Sequence, residues 1–310
     1  MTTPAAEVGH PPSSPWRLSP REWFAVFKRT FKAFLADDAM GLSAQVAFSS
    51  LLAFFPAVIF LVGLADLFGV YATLQEFLAP VAPAEVVDTI ETLQKDTSTE
   101  TSVVAFVVGA SLAVWAASGA MGAVIKSVNR AYDRVETRPF WKTRLIAIVL
   151  VCLTGLVLAG LLLLILFGGP LGTAIADQAG HGSAFERVWG IFSWPIAFLA
   201  IILFFSIVYY LAPNVDVRSW EWLSPGALVG SVSWLVLSGL FSLYTSLSDS
   251  YSRTYGALAS GIVLLLWLNY SAFALLFGAE LNSELDRQAE IRAAGGEKAG
   301  LIKPSRRPAT

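Results

Sequence analysis

The chain's imidazole and thiol groups are limited to two histidines, His10 and His181, and one cysteine, Cys152, in 310 residues. A zinc hydrolase needs three or four nitrogen, sulfur or carboxylate ligands converging on one ion, and no H-E-x-x-H, H-x-H or C-x-x-C occurs. A phosphate loop of the form G-x-x-x-x-G-K-[ST] and a G-x-S-x-G nucleophile turn are also missing. The expectation is a chain with no catalytic residues, no metal and no cofactor. Twenty-one Lys and Arg against 23 Asp and Glu leave a net charge of −2, which does not suit gripping nucleic acid by its phosphates.

The remaining candidates are polar residues embedded in apolar sequence. They are Gln45, Ser49 and Ser50, then Ser111 and Ser118, then Ser231 and Ser233, and finally Asn269 and Ser271. In hydrocarbon an unpaired polar group is costly, so such side chains face the interior of a helix bundle. Asn269 sits nearest the middle of its run and either glues two helices together or lines a cavity. Pro56 and Pro195 each remove a backbone donor from an otherwise helical run and are expected to kink or loosen it. Asp66 and Glu280 lie near the ends of their runs, where charge costs less, and neither is read as part of a proton relay.

The elements that position these groups are six stretches free of Asp, Glu, Lys and Arg: 39–65, 101–125, 145–176, 188–215, 222–248 and 254–279. About 20 helical residues cross a bilayer core, so each is long enough to span. With 55% apolar and 14% charged residues, the chain has too little polar sequence to cover six such helices in water. The fold expected is all-α and integral to the membrane. Its spans fall at about 41–68, 101–126, 145–169, 188–212, 223–247 and 256–282 within a membrane domain over 20–285. Residues 1–19 are expected to be a disordered cytoplasmic arm without the pattern of a cleavable signal, and 286–310 a polar cytoplasmic tail, largely disordered.

Basic residues orient the bundle. Arg17, Arg21, Lys28, Arg29 and Lys32 precede the first run, and Lys126, Arg130, Arg134, Arg138, Lys142 and Arg144 join the second to the third. Alternating sides puts 18 of the 21 on one face, with Lys95, Arg187 and Arg253 on the other. The positive-inside rule then places both termini in the cytoplasm of a bacterial inner-membrane protein.

Around the spans, Ser19-Pro20-Arg21-Glu22 reads as a capping box with proline at the first helical position. The helix it starts carries Trp23, Phe24, Phe27, Phe31 and Phe34 on one face and Arg21, Lys28, Arg29 and Lys32 largely on the other. Such a helix lies in an anionic headgroup layer or packs against the base of the bundle, with a bend at Asp37-Asp38 and Gly41 before the first span. Outside the membrane, 72–78 and 84–93 read as two short amphipathic helices, either a cap or a gate. Small residues four apart (Gly119 and Ala123, Gly155 and Ala159, Gly226 and Gly230, Ala257 and Gly261) allow close helix approach. Membrane lipids and a second copy of the chain are the partners expected, and nucleic acid is not.

Six local patterns point to one family. They are Gln45-Val46-Ala47-Phe48 with Phe54-Phe55-Pro56; Asn129-Arg130-Ala131-Tyr132 with Arg138-Pro139-Phe140; Tyr209-Tyr210-Leu211-Ala212-Pro213-Asn214; Tyr255-Gly256-Ala257-Leu258; Leu266-Trp267-Leu268-Asn269-Tyr270; and Gly278-Ala279-Glu280-Leu281-Asn282. Over about residues 25–285 the chain resembles the YihY/BrkB family of bacterial inner-membrane proteins. The resemblance implies a six-helix membrane fold. It also brings the family's old label of ribonuclease BN, regarded as a misattribution, and a virulence-factor label; neither defines a reaction.

Read physically, Asn129, Arg130, Arg138, Tyr209, Tyr210, Glu280 and Asn282 fall at the cytoplasmic ends of spans 2, 4 and 6. If Glu280 and Asn282 turn toward Arg130 or Arg138, charged hydrogen bonds tie those ends together. This cluster is the candidate headgroup or substrate site of a transporter or lipid-handling protein, with Gln45, Pro56 and Asn269 as the intramembrane candidates. The alternative is a membrane scaffold or oligomer assembled through the small residues of spans 5 and 6.

Overall fold

The computed structural model describes residues 18–67, 99–178, 182–215, 224–246 and 257–293. The arm before residue 18, the two short amphipathic helices expected between spans 1 and 2, His181, and the Tyr255-Gly256 pair lie outside them. Seven helices and no strand occur among the described residues: α1 (Pro20–Ala36), α2 (Ala39–Leu67), α3 (Thr99–Ala131), α4 (Phe140–Gln178), α5 (Gly182–Leu211), α6 (Pro225–Ser246) and α7 (Ala257–Ala293). The six from α2 to α7 are each long and apolar enough to cross a membrane.

Several helices outrun the expected spans: α3 ends at Ala131 rather than about 126, α4 runs over Phe140–Gln178 rather than about 145–169, α5 starts at Gly182 rather than about 188, and α7 continues to Ala293 rather than giving way to a disordered tail at 286. A scan that stops at the first charge assumes the charge is solvated. Here the charges have partners: Arg29 of α1 donates to Glu284 and Gln288 at 2.7 Å each, and Arg144 donates to the Trp115 carbonyl at 2.9 Å. Helices α2 and α5 run on through Pro56 and Pro195, so neither is broken into half-helices.

Helix α2 pairs with α3, α4 with α5, and α6 with α7, while α7 also touches α2 and α3 and α1 leans on α7. The buried core gathers toward one end, the base, where Ile125 and Val128 of α3, Leu150 of α4, Val208 and Tyr209 of α5, Ala227 of α6 and Leu276 and Ala279 of α7 pack together. Elsewhere large apolar side chains point outward on every long helix, among them Phe48, Leu112, Leu145, Phe192, Leu240 and Ile262. So much exposed apolar surface, on helices whose backbone groups bond internally, is what a bilayer solvates.

At the N-terminal end of α1 the capping box forms: Ser19 Oγ accepts the Glu22 amide at 3.4 Å and Glu22 Oε2 accepts the Ser19 amide at 2.8 Å. The helix docks through Val26, packed with Leu281 and Leu285 of α7, and through Phe34, which meets Phe273 and Phe277 edge-on. The expected single aromatic face is therefore split. Trp23 and Phe34 turn inward, while Phe24, Phe27, Phe31 and Leu35 form an exposed row flanked by exposed Arg21, Lys28 and Lys32. At the bend into α2, Asp38 takes φ of 54° and its side chain accepts the Gly41 amide at 3.3 Å. A Cβ on Gly41 would lie 2.5 Å from that carboxylate, so only glycine leaves room for the cap.

Candidate functional site

The seven candidates at the base sit close together but in three separate arrangements. The first fixes the connection between α3 and α4. Asn129, on the last turn of α3, accepts the Asn214 amide at 2.7 Å and donates to Glu136 at 2.8 Å. Arg138 forks onto Glu136 through Nε and Nη2, at 2.7 and 2.6 Å, and its Nη2 also reaches the Ala212 carbonyl at 2.8 Å. The Asn214 side chain donates to the Val135 carbonyl and to Thr137 Oγ1. Carbonyls and amides just past the end of α5, which no helix partner satisfies, are thereby paired with the loop after α3. Partial burial opposes ionisation of Glu136, but the Arg138 side chain and amide and the Asn129 amide together hold its carboxyl below the usual range.

The second arrangement is a close crossing of α5, α6 and α7. Tyr209 donates its hydroxyl to the Leu275 carbonyl at 2.7 Å. It reaches that backbone because Gly278 has no side chain: a Cβ there would collide with the phenol and lie 2.5 Å from the Gly226 carbonyl. Asn282, one turn further on, accepts the Gly226 amide at 2.9 Å and donates to Ser224 at 3.1 Å. It is also hydrogen-bonded to Tyr132, whose hydroxyl pKa is raised by burial and by the nearby Asp286. Tyr210, beside Tyr209, is half-buried.

The third is an acidic nest. Glu280 is 2% exposed, with Asp37, Asp133 and Glu284 as its nearest like charges and Arg130 as its counter-charge. The expected tie to Arg130 or Arg138 does not form. Arg130 pairs with Asp37 at 3.0 Å and Arg138 with Glu136, so among the described residues neither guanidinium bonds Glu280. The reason is local: the turn after α1 brings Asp37 to Arg130, and the loop residue Glu136 is two positions from Arg138. The ends of α3, α5 and α7 are still joined, by the Asn129, Arg138 and Tyr209 bonds to backbone groups rather than by ion pairs to Glu280.

Inside the span region, Gln45 accepts Lys126 Nζ at 3.3 Å, linking α2 to α3. Pro56 lies in an unbroken helix. Among the described residues Asn269 Oδ1 is buried without a partner, as is Ser231 Oγ on α6. The indoles of Trp234 and Trp267 bond Ser271 and Ser238 across α6 and α7, so these two helices are stitched by indoles rather than by Asn269. Among the described residues no three His, Cys, Asp or Glu side chains converge as metal ligands.

Sequence reasoning missed Glu136, Asp37, Ser224 and Arg144. Glu136 stands between Arg134 and Arg138; an acid inside a basic segment was the available signal. For Asp37 and Ser224 none was available, since both act on residues far along the chain.

The sequence profile of the family described as Virulence factor BrkB matches residues 30–300. A ribonuclease-like protein, YfkH, of Bacillus subtilis is 30% identical over 272 residues, covering 85% of this chain and 96% of that one. A UPF0761 membrane protein of Aromatoleum aromaticum is 26% identical over 275 residues, 86% of this chain and 66% of its own. Another, of Aggregatibacter aphrophilus, is 35% identical over 138 residues, so that 42% of this chain spans about half, 48%, of that relative. No solved structure matches the chain. The profile takes in all six long helices and every residue of the three arrangements: the chain belongs to the Virulence factor BrkB family of membrane proteins.

Proposed function

We propose that this protein resides in the bacterial inner membrane with both termini in the cytoplasm, and that it transports or handles lipids or other amphiphiles rather than catalysing a reaction. The 18 to 3 division of basic residues supports the orientation. The carrying observation is α1. A helix clamped to the bundle by Arg29, Val26 and Phe34 presents Phe24, Phe27, Phe31 and Leu35 outward beside exposed Lys28 and Lys32. Aromatic side chains flanked by lysines insert into the headgroup layer and attract anionic lipids. Coupled to α7, which runs from the base through the bundle, such a helix brings the lipid surface against the acidic nest.

The test is a reconstituted liposome assay with fluorescent phospholipids, read as movement between leaflets or between vesicles. Protein-dependent movement that falls when Phe24, Phe27 and Phe31 are changed to Ser supports the reading. Vesicles that move neither lipids nor amphiphilic solutes, with the protein folded and oriented, overturn it.

The second reading is a scaffold or oligomer. The expected Gly226 and Gly230 seam does not serve it, because both glycines face inward, against Gly278, Phe205 and Tyr209. Gly155, Gly239 and Gly261, by contrast, meet nothing among the described residues where a side chain would be, which suits contact with another helix. A single copy per particle in native mass spectrometry would remove this reading. The ribonuclease name of the Bacillus relative finds no support in a chain whose basic loop is occupied by Glu136, Asn129 and Asn214.

A further inference from the structure

Arg144 stands in an unusual place. Its guanidinium lies along the lipid-facing side of α3, with its carbon 4.1 Å from the centre of the Trp115 ring and Nη2 2.9 Å from the Trp115 carbonyl. Trp115 is 63% exposed, and Leu112 and Leu145 around it are more than half exposed. It is the middle residue of the 33-residue α3, eleven positions from Lys126 and so about 16 Å along the helix axis from that basal charge. Gly119 leaves the surface bare beside the guanidinium: a Cβ there would lie 3.9 Å from Nη1.

Among the described residues no carboxylate pairs with Arg144, and its Nε is buried without a partner. The carbonyl it does reach is shared, since Ser118 Oγ also donates to it at 2.8 Å, beside the ordinary helical bond. An unpaired cation at this depth is costly and draws an anion toward it. Trp115 shields one face of the guanidinium, leaving its edge as the donor fork that suits a phosphate.

We propose that the corner formed by Arg144, Trp115 and Gly119 binds the phosphate of a phospholipid drawn below the headgroup layer, with the acyl chains along the exposed surface of α3 and α4. This deepens the lipid-handling reading and rests on it for the identity of the amphiphile. The lipid is favoured over free phosphate because Leu112, Trp115 and Leu145 beside the guanidinium are large, apolar and exposed.

Native mass spectrometry of the full chain released from phospholipid nanodiscs tests this, comparing wild type, Arg144→Ala, Arg144→Lys and Arg134→Ala. Losing a bidentate charged contact lowers retained phospholipid about tenfold in Arg144→Ala, with partial retention in Arg144→Lys and none of this loss in Arg134→Ala. Equal retention in Arg144→Ala and wild type overturns the proposal, as does equal loss in Arg134→Ala. Displacement of the bound species by inorganic phosphate alone overturns the lipid as its source. Should Arg144→Ala not fold, a photo-crosslinker at Leu112 in wild type and Arg144→Lys reads the same contact: crosslinks to phospholipid that weaken in the lysine variant support the site, and crosslinks of equal strength overturn it. Lipid retained through Arg144 by a protein that moves none leaves this site standing and removes the transport reading. Lipid movement by a protein indifferent to Arg144 does the reverse.

Discussion

Tyr209 donates to the Leu275 carbonyl at 2.7 Å across a crossing where Gly278 and Gly226 face each other without side chains. The phenol both fills the notch and satisfies itself there. Tyr209→Phe keeps the ring and loses the bond, a change of about 1 kcal/mol. Gly278→Ala is predicted to cost more, about 1–3 kcal/mol, because its Cβ must displace the phenol or separate α6 from α7. Thermal unfolding in detergent should rank wild type above Tyr209→Phe and that above Gly278→Ala. If Gly278→Ala matches wild type, α6 and α7 do not approach this closely.

Glu280 leads to an opposite expectation. It is buried among Asp37, Asp133 and Glu284 while Arg130 is committed to Asp37. Breaking a buried ion pair destabilises a protein, but exchanging a buried acid that has no pair for an amide of the same shape breaks none. Glu280→Gln should therefore not lower the unfolding temperature at neutral pH. If it nonetheless abolishes lipid movement in liposomes, the carboxyl is held there for function. A lowered unfolding temperature would mean that Glu280 is part of the structural tie after all.

How much of this could be read from the chain follows from what kind of force acts at each place. The spans were legible because a bilayer demands uninterrupted apolar length, and Ser19 with Glu22 was legible because a capping box is a local pattern. The gathering of Asn129, Tyr209 and Asn282 at the base followed from alternating the spans. Their partners did not, because Asn214, Leu275 and Gly226 are selected by where helices cross, and crossings depend on distant glycines. Arg130 choosing Asp37 over Glu280 was hidden for the same reason. The split of the α1 aromatics into Phe34 inward and Phe31 outward required knowing that α1 lies against α7, where Phe273 and Phe277 receive Phe34.

The docking of α1 can be tested through that contact. Arg29 reaches Glu284 and Gln288 at 2.7 Å each, and the carboxylate is nearly buried. Glu284→Ala leaves the guanidinium with Gln288 alone and should weaken docking by about 1–2 kcal/mol, within the range for a charged hydrogen bond. Hydrogen exchange should then speed up in α1 and in the last turns of α7, with little change in α3 and α5. Protection lost throughout the bundle would show that Glu284 supports more than this joint.

The loop after α3 should respond to pH on both sides of neutrality. Arg138 and Asn129 hold the Glu136 carboxyl below the usual range despite its partial burial. A folded pKa below the unfolded one, about 4.3, gives stability that is complete above that value and is lost as pH falls through the folded value. Tyr132 shifts the other way, because burial and Asp286 favour its neutral form. The folded protein keeps a proton that the unfolded chain releases near pH 10, so stability is lost as pH rises beyond about 10. Glu136→Gln should be less stable than wild type at neutral pH and should converge with it in acid, because protonation removes the same charge. Tyr132→Phe should flatten the alkaline fall while leaving the acid side unchanged. Unfolding temperatures measured across the pH range check both, and an acid limb identical in wild type and Glu136→Gln would show that the Arg138 fork does not govern this loop.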